Sequence, residues 1–169
     1  PAQTITIDSI NLDSGTSNDF ITNDSDGLTI NASLSTNLAS GEKLMYSRDN
    51  GVTWIDITSS VSGTTVNHFD SGLTSSNIVK FQVVDLAGNA SATASQLITI
   101  DATAPTTTVN ITGISLDTGI AGDFITSDRD GLTVNAALSS ALVEGEKLMY
   151  SNDNGVTWID ITRDRKSVV

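Results

Sequence analysis

Four aspartates carry most of the chemistry this chain could do. Asp13 and Asp19 bound the stretch DSGTSND, and Asp117 and Asp123 bound DTGIAGD, 104 residues further on. Carboxylates spaced this way among small polar residues place several hard oxygens in one loop, and no lysine or arginine stands between them to balance the charge. A hard dication would: calcium takes about 6–8 oxygens at roughly 2.3–2.6 Å, from carboxylates, carbonyls and amides. Extracellular modules bind it with a Kd of about 10⁻⁴–10⁻³ M, and a ligand at 100 times its Kd adds about 2.7 kcal/mol to stability. The competing reading is that these aspartates close Asx-turns in an acidic surface loop. Asp85 and Asn89, in DLAGN, are candidates of the same kind, although D-x-x-G-N is also good tight-turn chemistry. Asp101 joins the set for a reason that depends on the fold.

Composition narrows the setting. Acidic residues number 20 against 8 basic ones, a net charge of −12. That field argues against nucleic acid and anionic membranes and for cations as partners. Hydrophobic residues make up 38% and charged ones only 17%, leaving a chain rich in Ser, Thr, Asn and Gly, the profile of a turn-rich all-β protein. With no cysteine, neither a disulfide framework nor a thiolate metal site is possible, and cohesion must come from elsewhere. No apolar run approaches the roughly 18 residues of a membrane span, so no membrane insertion is expected. His68, the only histidine, falls in no metal-ligand spacing, and no G-x-S-x-G, P-loop or H-E-x-x-H occurs.

An internal duplication organises the rest. Shifted by 104, residues 1–58 meet 105–162 without a gap, and 38 of the 58 positions are identical. DFITND meets DFITSD, and GEKLMYS recurs intact. Residues 1–104 thus read as one complete unit and 105–163 as a truncated second. After Thr162 the match stops, and DRKSVV, residues 164–169, reads as the in-frame translation of a sequencing adapter; the natural protein is expected to be longer.

Short strands separated by turn chemistry fill the complete unit. Residues 4–10 and 28–34 alternate in hydropathy, and 43–47 and 52–57 flank Asn50-Gly51, the strongest short hairpin signal. Residues 64–69, 78–85 and 91–101 supply the rest, with Val79, Phe81 and Val83 on one face. Seven strands in about 100 residues, with no helical period, predict an all-β fold of immunoglobulin-like β-sandwich repeats. In that topology the loop after the first strand lies beside the end of the last, so Asp13, Asp19 and Asp101 should gather at one pole. Asp85 and Asn89 sit at the other, facing the unit upstream. A metal joint would draw on both, across a linker that Pro105 biases toward extension. Asp24-Ser25-Asp26-Gly27 has half of an EF-hand start but reads better as a turn. The second unit lacks the partners of its first strands, so Leu132, Val134 and Leu148 should stay uncovered.

The phrases SRDNGVTW and SNDNGVTW resemble the Asp-box, a hairpin signature of sialidases and other β-propellers. Sialidases grip the substrate carboxylate with an arginine cluster, whereas Arg48, Arg129 and Arg163 are the only arginines before residue 164, and Arg48 becomes Asn152 in the second copy. The phrase is better explained as hairpin grammar, with Asp and Asn-Gly setting the turn, Ser and Thr bonding its backbone and Trp54 packing beneath. No enzymatic function is expected.

Four phrases in fixed order resemble the bacterial Ig-like tandem repeats of giant RTX-type, biofilm-associated adhesins: DATAPTTT, DTG followed by GDFITSD, GEKLMYSNDNGVTW, and VVDLAGNAS. The resemblance spans residues 1–162. It implies a type I secreted protein on the outer surface of a Gram-negative bacterium, in which repeats form a rod stiffened by Ca²⁺ at its joints. Such a rod supports cell adhesion or biofilm formation by projecting an adhesive tip. The partners implied are neighbouring repeats of the same polypeptide, the tip ligand lying outside this chain. An alternative is a carbohydrate- or protein-binding module acting directly in adhesion, which would present aromatic residues on one surface.

Overall fold

A computed structural model describes residues 1–162; the expected foreign tail and Arg163 lie outside the described residues. The described chain is all-β, apart from one 3₁₀ turn at Thr58–Ser60. It divides into a first unit, Pro1–Thr103, and a second beginning at Ala104.

Nine strands build the first unit: β1 (Ile5–Ile10), β2 (Ile21–Thr22), β3 (Leu28–Leu34), β4 (Lys43–Ser47), β5 (Ile55–Asp56), β6 (Val61–Ser62), β7 (Thr65–Asp70), β8 (Asn77–Val84) and β9 (Ala94–Ile100). They form two sheets, of order β1-β3-β7-β6 and β2-β9-β8-β4-β5. All neighbours are antiparallel except β2 and β9. Alternation explains the faces. In β3 the even-numbered residues Leu28, Ile30, Ala32 and Leu34 are buried, as the two-residue period of a strand requires. Val79, Phe81 and Val83 do the same in β8 and, with Leu44, Tyr46 and Ile98 of the same sheet, join Val66 and the buried β3 residues of the first sheet in one hydrophobic cluster. This is a β-sandwich core.

The hairpin after β4 is wider than Asn-Gly alone predicts. Asn50 and Gly51 do take positive φ (61° and 92°), yet the ladder begins only at Tyr46 opposite Ile55. The hydroxyls of Ser47 and Thr53 bond the Asp49 carboxylate and so stabilise a loop running to Trp54 in place of ladder pairs. Strands β2 and β6 are two residues each, too short to show a hydropathy period.

In the second unit β10 (Val109–Ile114) pairs with β11 (Val134–Leu138), and β12 (Met149–Tyr150) with β13 (Ile159–Asp160). Even the register shift of β1 at Ile7/Ser9 recurs in β10 at Ile111/Gly113. No third strand covers either pair among the described residues. Leu132 and Val134 are 43% and 40% exposed where Leu28 and Ile30 are 1% and 0% exposed, and Leu148 is half-buried. Among the described residues no helix is long and apolar enough to cross a membrane.

Candidate functional site

The loop between β1 and β2 folds on its own short-range chemistry. Leu12 and Phe20 adopt left-handed backbone, with φ of 54° and 61°, a conformation that costs of order 1–3 kcal/mol and persists only where surroundings enforce it. Two hydroxyls do the enforcing. Thr22 Oγ1 donates to the Leu12 carbonyl at 2.6 Å, and Ser14 Oγ accepts from the Asn23 N–H at 2.9 Å. Within this frame Asp13 Oδ2 accepts the Asn18 N–H at 2.7 Å and Asp19 Oδ1 accepts the Ile21 N–H at 3.0 Å. Asp13 Oδ1 is buried and takes no hydrogen bond.

The second unit rebuilds the principal bonds of this loop. Leu116 and Phe124 have φ of 53° and 60°, and Thr126 Oγ1 donates to the Leu116 carbonyl at 2.6 Å. Asp117 Oδ2 accepts the Gly122 N–H at 2.8 Å, Asp123 Oδ1 accepts the Ile125 N–H at 2.9 Å, and Asp117 Oδ1 is again buried and unbonded. An ionised carboxylate oxygen shut away from water without a donor is costly. A hard cation would satisfy it, so this part of the donor set fits Ca²⁺.

The end of β9 runs parallel to β2, and the Asp101 N–H donates to the Thr22 carbonyl at 2.8 Å. Its carboxylate, however, turns back to the Thr103 N–H at 3.0 Å. Among the described residues no three acidic, histidine or cysteine side chains are grouped as a metal site of their own. Further ligands would have to be carbonyls, or oxygens from beyond one unit.

Asp85 and Asn89 meet, but on each other. Asp85 Oδ1 accepts the N–H groups of Ala87 and Asn89, both at 2.9 Å, and its Oδ2 accepts the Asn89 amide at 2.9 Å. These bonds, those to Asn89 foremost, hold the Asp85 carboxyl below the usual carboxylate range. They close the turn between β8 and β9. Asp24 and Asp26 also form a turn, the Asp26 N–H donating to Asp24 Oδ1 at 3.3 Å. The neighbouring Asp24 carboxylate raises the Asp26 pKa. Both aspartates line a surface groove with Phe69, which is 59% exposed.

The Asp-box phrase is self-satisfied. Asp49 accepts from Ser47 Oγ at 2.7 Å, from the Thr53 N–H at 2.8 Å and from Thr53 Oγ1 at 2.6 Å. These donors, Thr53 first, lower its pKa to about 2. The half-buried Trp54 donates Nε1–H to the Gly51 carbonyl at 3.1 Å. The same bonds recur from Ser151 to Trp158.

One buried group has no counterpart in the sequence reading. Asp70, 4% exposed, accepts from Tyr46 Oη at 3.0 Å and from the Gly72 N–H at 2.9 Å, and pairs with Arg48 Nε at 3.2 Å. Tyr46 packs at a tilt against His68 and Phe81, with ring centroids 4.8 and 5.0 Å away and interplanar angles of 60° and 52°. The only sequence signal was Tyr46 and Arg48 two apart at the end of a strand, and nothing local ties them to Asp70.

Comparison of the chain with family models, with curated proteins and with solved structures finds no match.

Proposed function

We propose that this chain is a structural extender: tandem Ig-like sandwich repeats of a secreted bacterial cell-surface adhesin, with Ca²⁺ stiffening the joints between units and no catalytic role. The single observation that carries the reading is the duplicated loop in which Asp13 Oδ1 and Asp117 Oδ1 are both buried without a donor. Supporting it are the sheet orders β1-β3-β7-β6 and β2-β9-β8-β4-β5, which follow the strand grouping of immunoglobulin-type sandwiches, and the net charge of −12. Pro105, just beyond the junction, adds a short stiff linker. Neighbouring repeats, in this reading, supply the remaining oxygens of each joint.

The experiment is a chain carrying two complete units, compared in millimolar Ca²⁺ and in chelator by thermal unfolding and small-angle scattering. A rise in melting temperature together with a longer maximum dimension in Ca²⁺ is expected. If neither changes, the metal leaves the account and only the spacer role stands.

A second reading rests on Phe69. Its exposed ring, beside the Asp24 and Asp26 carboxylates, is the feature expected of a module that binds carbohydrate or a partner protein directly. Glycan-array binding abolished by Phe69→Ala would favour it.

A further inference from the structure

We infer that Asn50 is a deamidation site held shut by Ser47, whose hydroxyl withholds the attacking backbone amide of Gly51. This goes beyond the extender reading and uses none of the calcium argument.

The sequence sets the hazard. Asn50-Gly51 and Asn154-Gly155 are the two Asn-Gly pairs of the chain, and a glycine, having no side chain to hinder the approach, leaves the asparagine carboxamide open to the backbone nitrogen that follows it. In that reaction the Gly51 nitrogen, its proton lost to solvent base, bonds to Asn50 Cγ; the bond from Cγ to the side-chain nitrogen breaks, ammonia leaves and a succinimide ring remains. Water then opens the ring at either carbonyl, to an aspartate or an isoaspartate. The product sets a new carboxylate beside Asp49 in a chain whose net charge is already −12, and the isoaspartyl form lengthens the backbone inside a turn. Either would loosen the hairpin.

The structure supplies the guard. The Gly51 N–H donates to Ser47 Oγ at 2.8 Å, and Ser47 is only 1% exposed. This hydroxyl is fully engaged, because it also donates to Asp49 Oδ1 at 2.7 Å and accepts the Asp49 N–H at 3.3 Å. Donating to a carboxylate makes it a better acceptor for Gly51. Attack requires the amide to lose its proton and its nitrogen to leave the peptide plane toward Cγ, so a held N–H opposes both steps. Two further bonds fix the pair. The Asn50 N–H donates to the Ile78 carbonyl at 3.0 Å, and the Gly51 carbonyl accepts Trp54 Nε1–H at 3.1 Å.

The guard is written twice. Around Asn154 the Gly155 N–H donates to Ser151 Oγ at 2.8 Å, and Ser151 Oγ donates to Asp153 Oδ1 at 2.8 Å. These bonds span only Ser151 to Gly155, so they form without any more distant part of the chain. Both Asn-Gly pairs thus carry a serine three residues ahead of the asparagine that occupies the nucleophile.

The test incubates the whole chain in mildly alkaline buffer at physiological temperature and follows Asn50 by peptide mapping, which reads the exchange of amide for acid as a mass gain and resolves the isoaspartyl form. Asn50 in the native chain should deamidate about tenfold or more slowly than in the same chain in denaturing urea. Ser47→Ala should raise the native rate about tenfold. Thr53→Ala, which removes the Thr53 Oγ1 bond to Asp49 but leaves Gly51 on Ser47, should leave it unchanged. In the unsubstituted chain, the Gly51 amide should exchange about tenfold or more slowly by NMR than its unstructured reference rate.

Equal deamidation of Asn50 in the native chain and in urea would overturn the inference, as would a Gly51 amide that exchanges at the unstructured rate. These two readings need no variant and decide the matter even where Ser47→Ala does not fold. In a Ser47→Ala chain that keeps its melting transition, an unchanged rate would also overturn it. So would equal acceleration in Thr53→Ala, which would assign the protection to the stiffness of the hairpin and not to the serine.

Discussion

Tyr46 Oη donates to Asp70 Oδ2 at 3.0 Å, and this bond joins the two sheets, because Tyr46 lies on β4 and Asp70 on β7. A buried carboxylate is tolerated only where donors and a counter-charge surround it, and here Tyr46, the Gly72 amide and Arg48 provide them. The partners differ in exposure: the Arg48 side chain is 43% exposed and that of Asp70 only 3%. Removing the carboxylate's donors should therefore cost more than an ordinary surface change. Tyr46→Phe and Arg48→Asn, the latter importing the residue of the second copy, should each destabilise the first unit by about 1–3 kcal/mol in urea unfolding. The double variant should lose less than the sum, because both partners serve one acceptor.

Gly72 tests the same group from the side. A β-carbon there would sit 1.3 Å from Arg48 Nη1 and 2.5 Å from its Cζ, so Gly72→Ala must swing the guanidinium off Asp70. The clash is with a flexible side-chain end, which makes the lost ion pair the main cost. Gly72→Ala should accordingly destabilise a chain with Arg48 and be nearly neutral in an Arg48→Ala background. Equal losses in both backgrounds would point to backbone strain instead.

Acid unfolding should proceed in two separable windows. Burial, the largest influence on His68, lowers its pKa from 6.5, so the unfolded chain binds its proton first and stability falls as the pH drops below about 6.5. His68→Gln should remove that first decline. Asp49 and Asp56 are each lowered from 3.8 to about 2, the former chiefly by Thr53 and the latter chiefly by Thr58 with Lys43 adding. Depressed carboxylates contribute stability above the unfolded pKa and lose it as the pH falls through the folded one. The second decline therefore runs from about pH 4 to about pH 2. Asp49→Asn should make it shallower, as read from melting temperature against pH.

Hydropathy period made β3 legible, which starts and ends where alternation predicts, the Asn50-Gly51 signal placed β4 at residues 43–47, and Val79, Phe81 and Val83 share the buried face. Strands β2 and β6 were not legible, since two residues carry no period; β2 is paired by β9, far along the chain, while β6 closes a tight hairpin on β7 with Ser62 opposite Thr65. The hairpin width was missed for a different reason. The Asn50-Gly51 turn formed, but the Asp49 carboxylate attracted side-chain donors that compete with the ladder.

The polar sites divide along the same line. Loop closure by Asp13, Asp19 and Asp85 follows from residues within five positions of each, and short-range Asx chemistry is readable from sequence. Which oxygen remains unbonded inside the loop is not, because that depends on the left-handed turns at Leu12 and Phe20. Nor is the burial of Asp70 readable, since its side-chain partners Arg48 and Tyr46 lie 22 and 24 residues earlier, Tyr46 on the opposite sheet and Arg48 just past its end.

Asp13 and Asp85 offer a clean contrast for the metal. Both are loop carboxylates bonded to nearby amides, but Asp85 uses both oxygens within its turn, whereas Asp13 Oδ1 is buried and unbonded. A calcium ion should depend on the second kind of oxygen. In the full chain the gain in stability at 100 times the Kd should be about 2.7 kcal/mol, and Asp13→Asn should shrink it, because an amide oxygen keeps the shape but gives up the charge that draws a hard dication. Asp85→Ala should instead lower the melting temperature equally with Ca²⁺ and with chelator, and speed exchange at the amides of Ala87 and Asn89. Calorimetric titration checks the first half and amide exchange the second. An undiminished calcium response in Asp13→Asn, with Asp117 also replaced, would remove these loops from the joint.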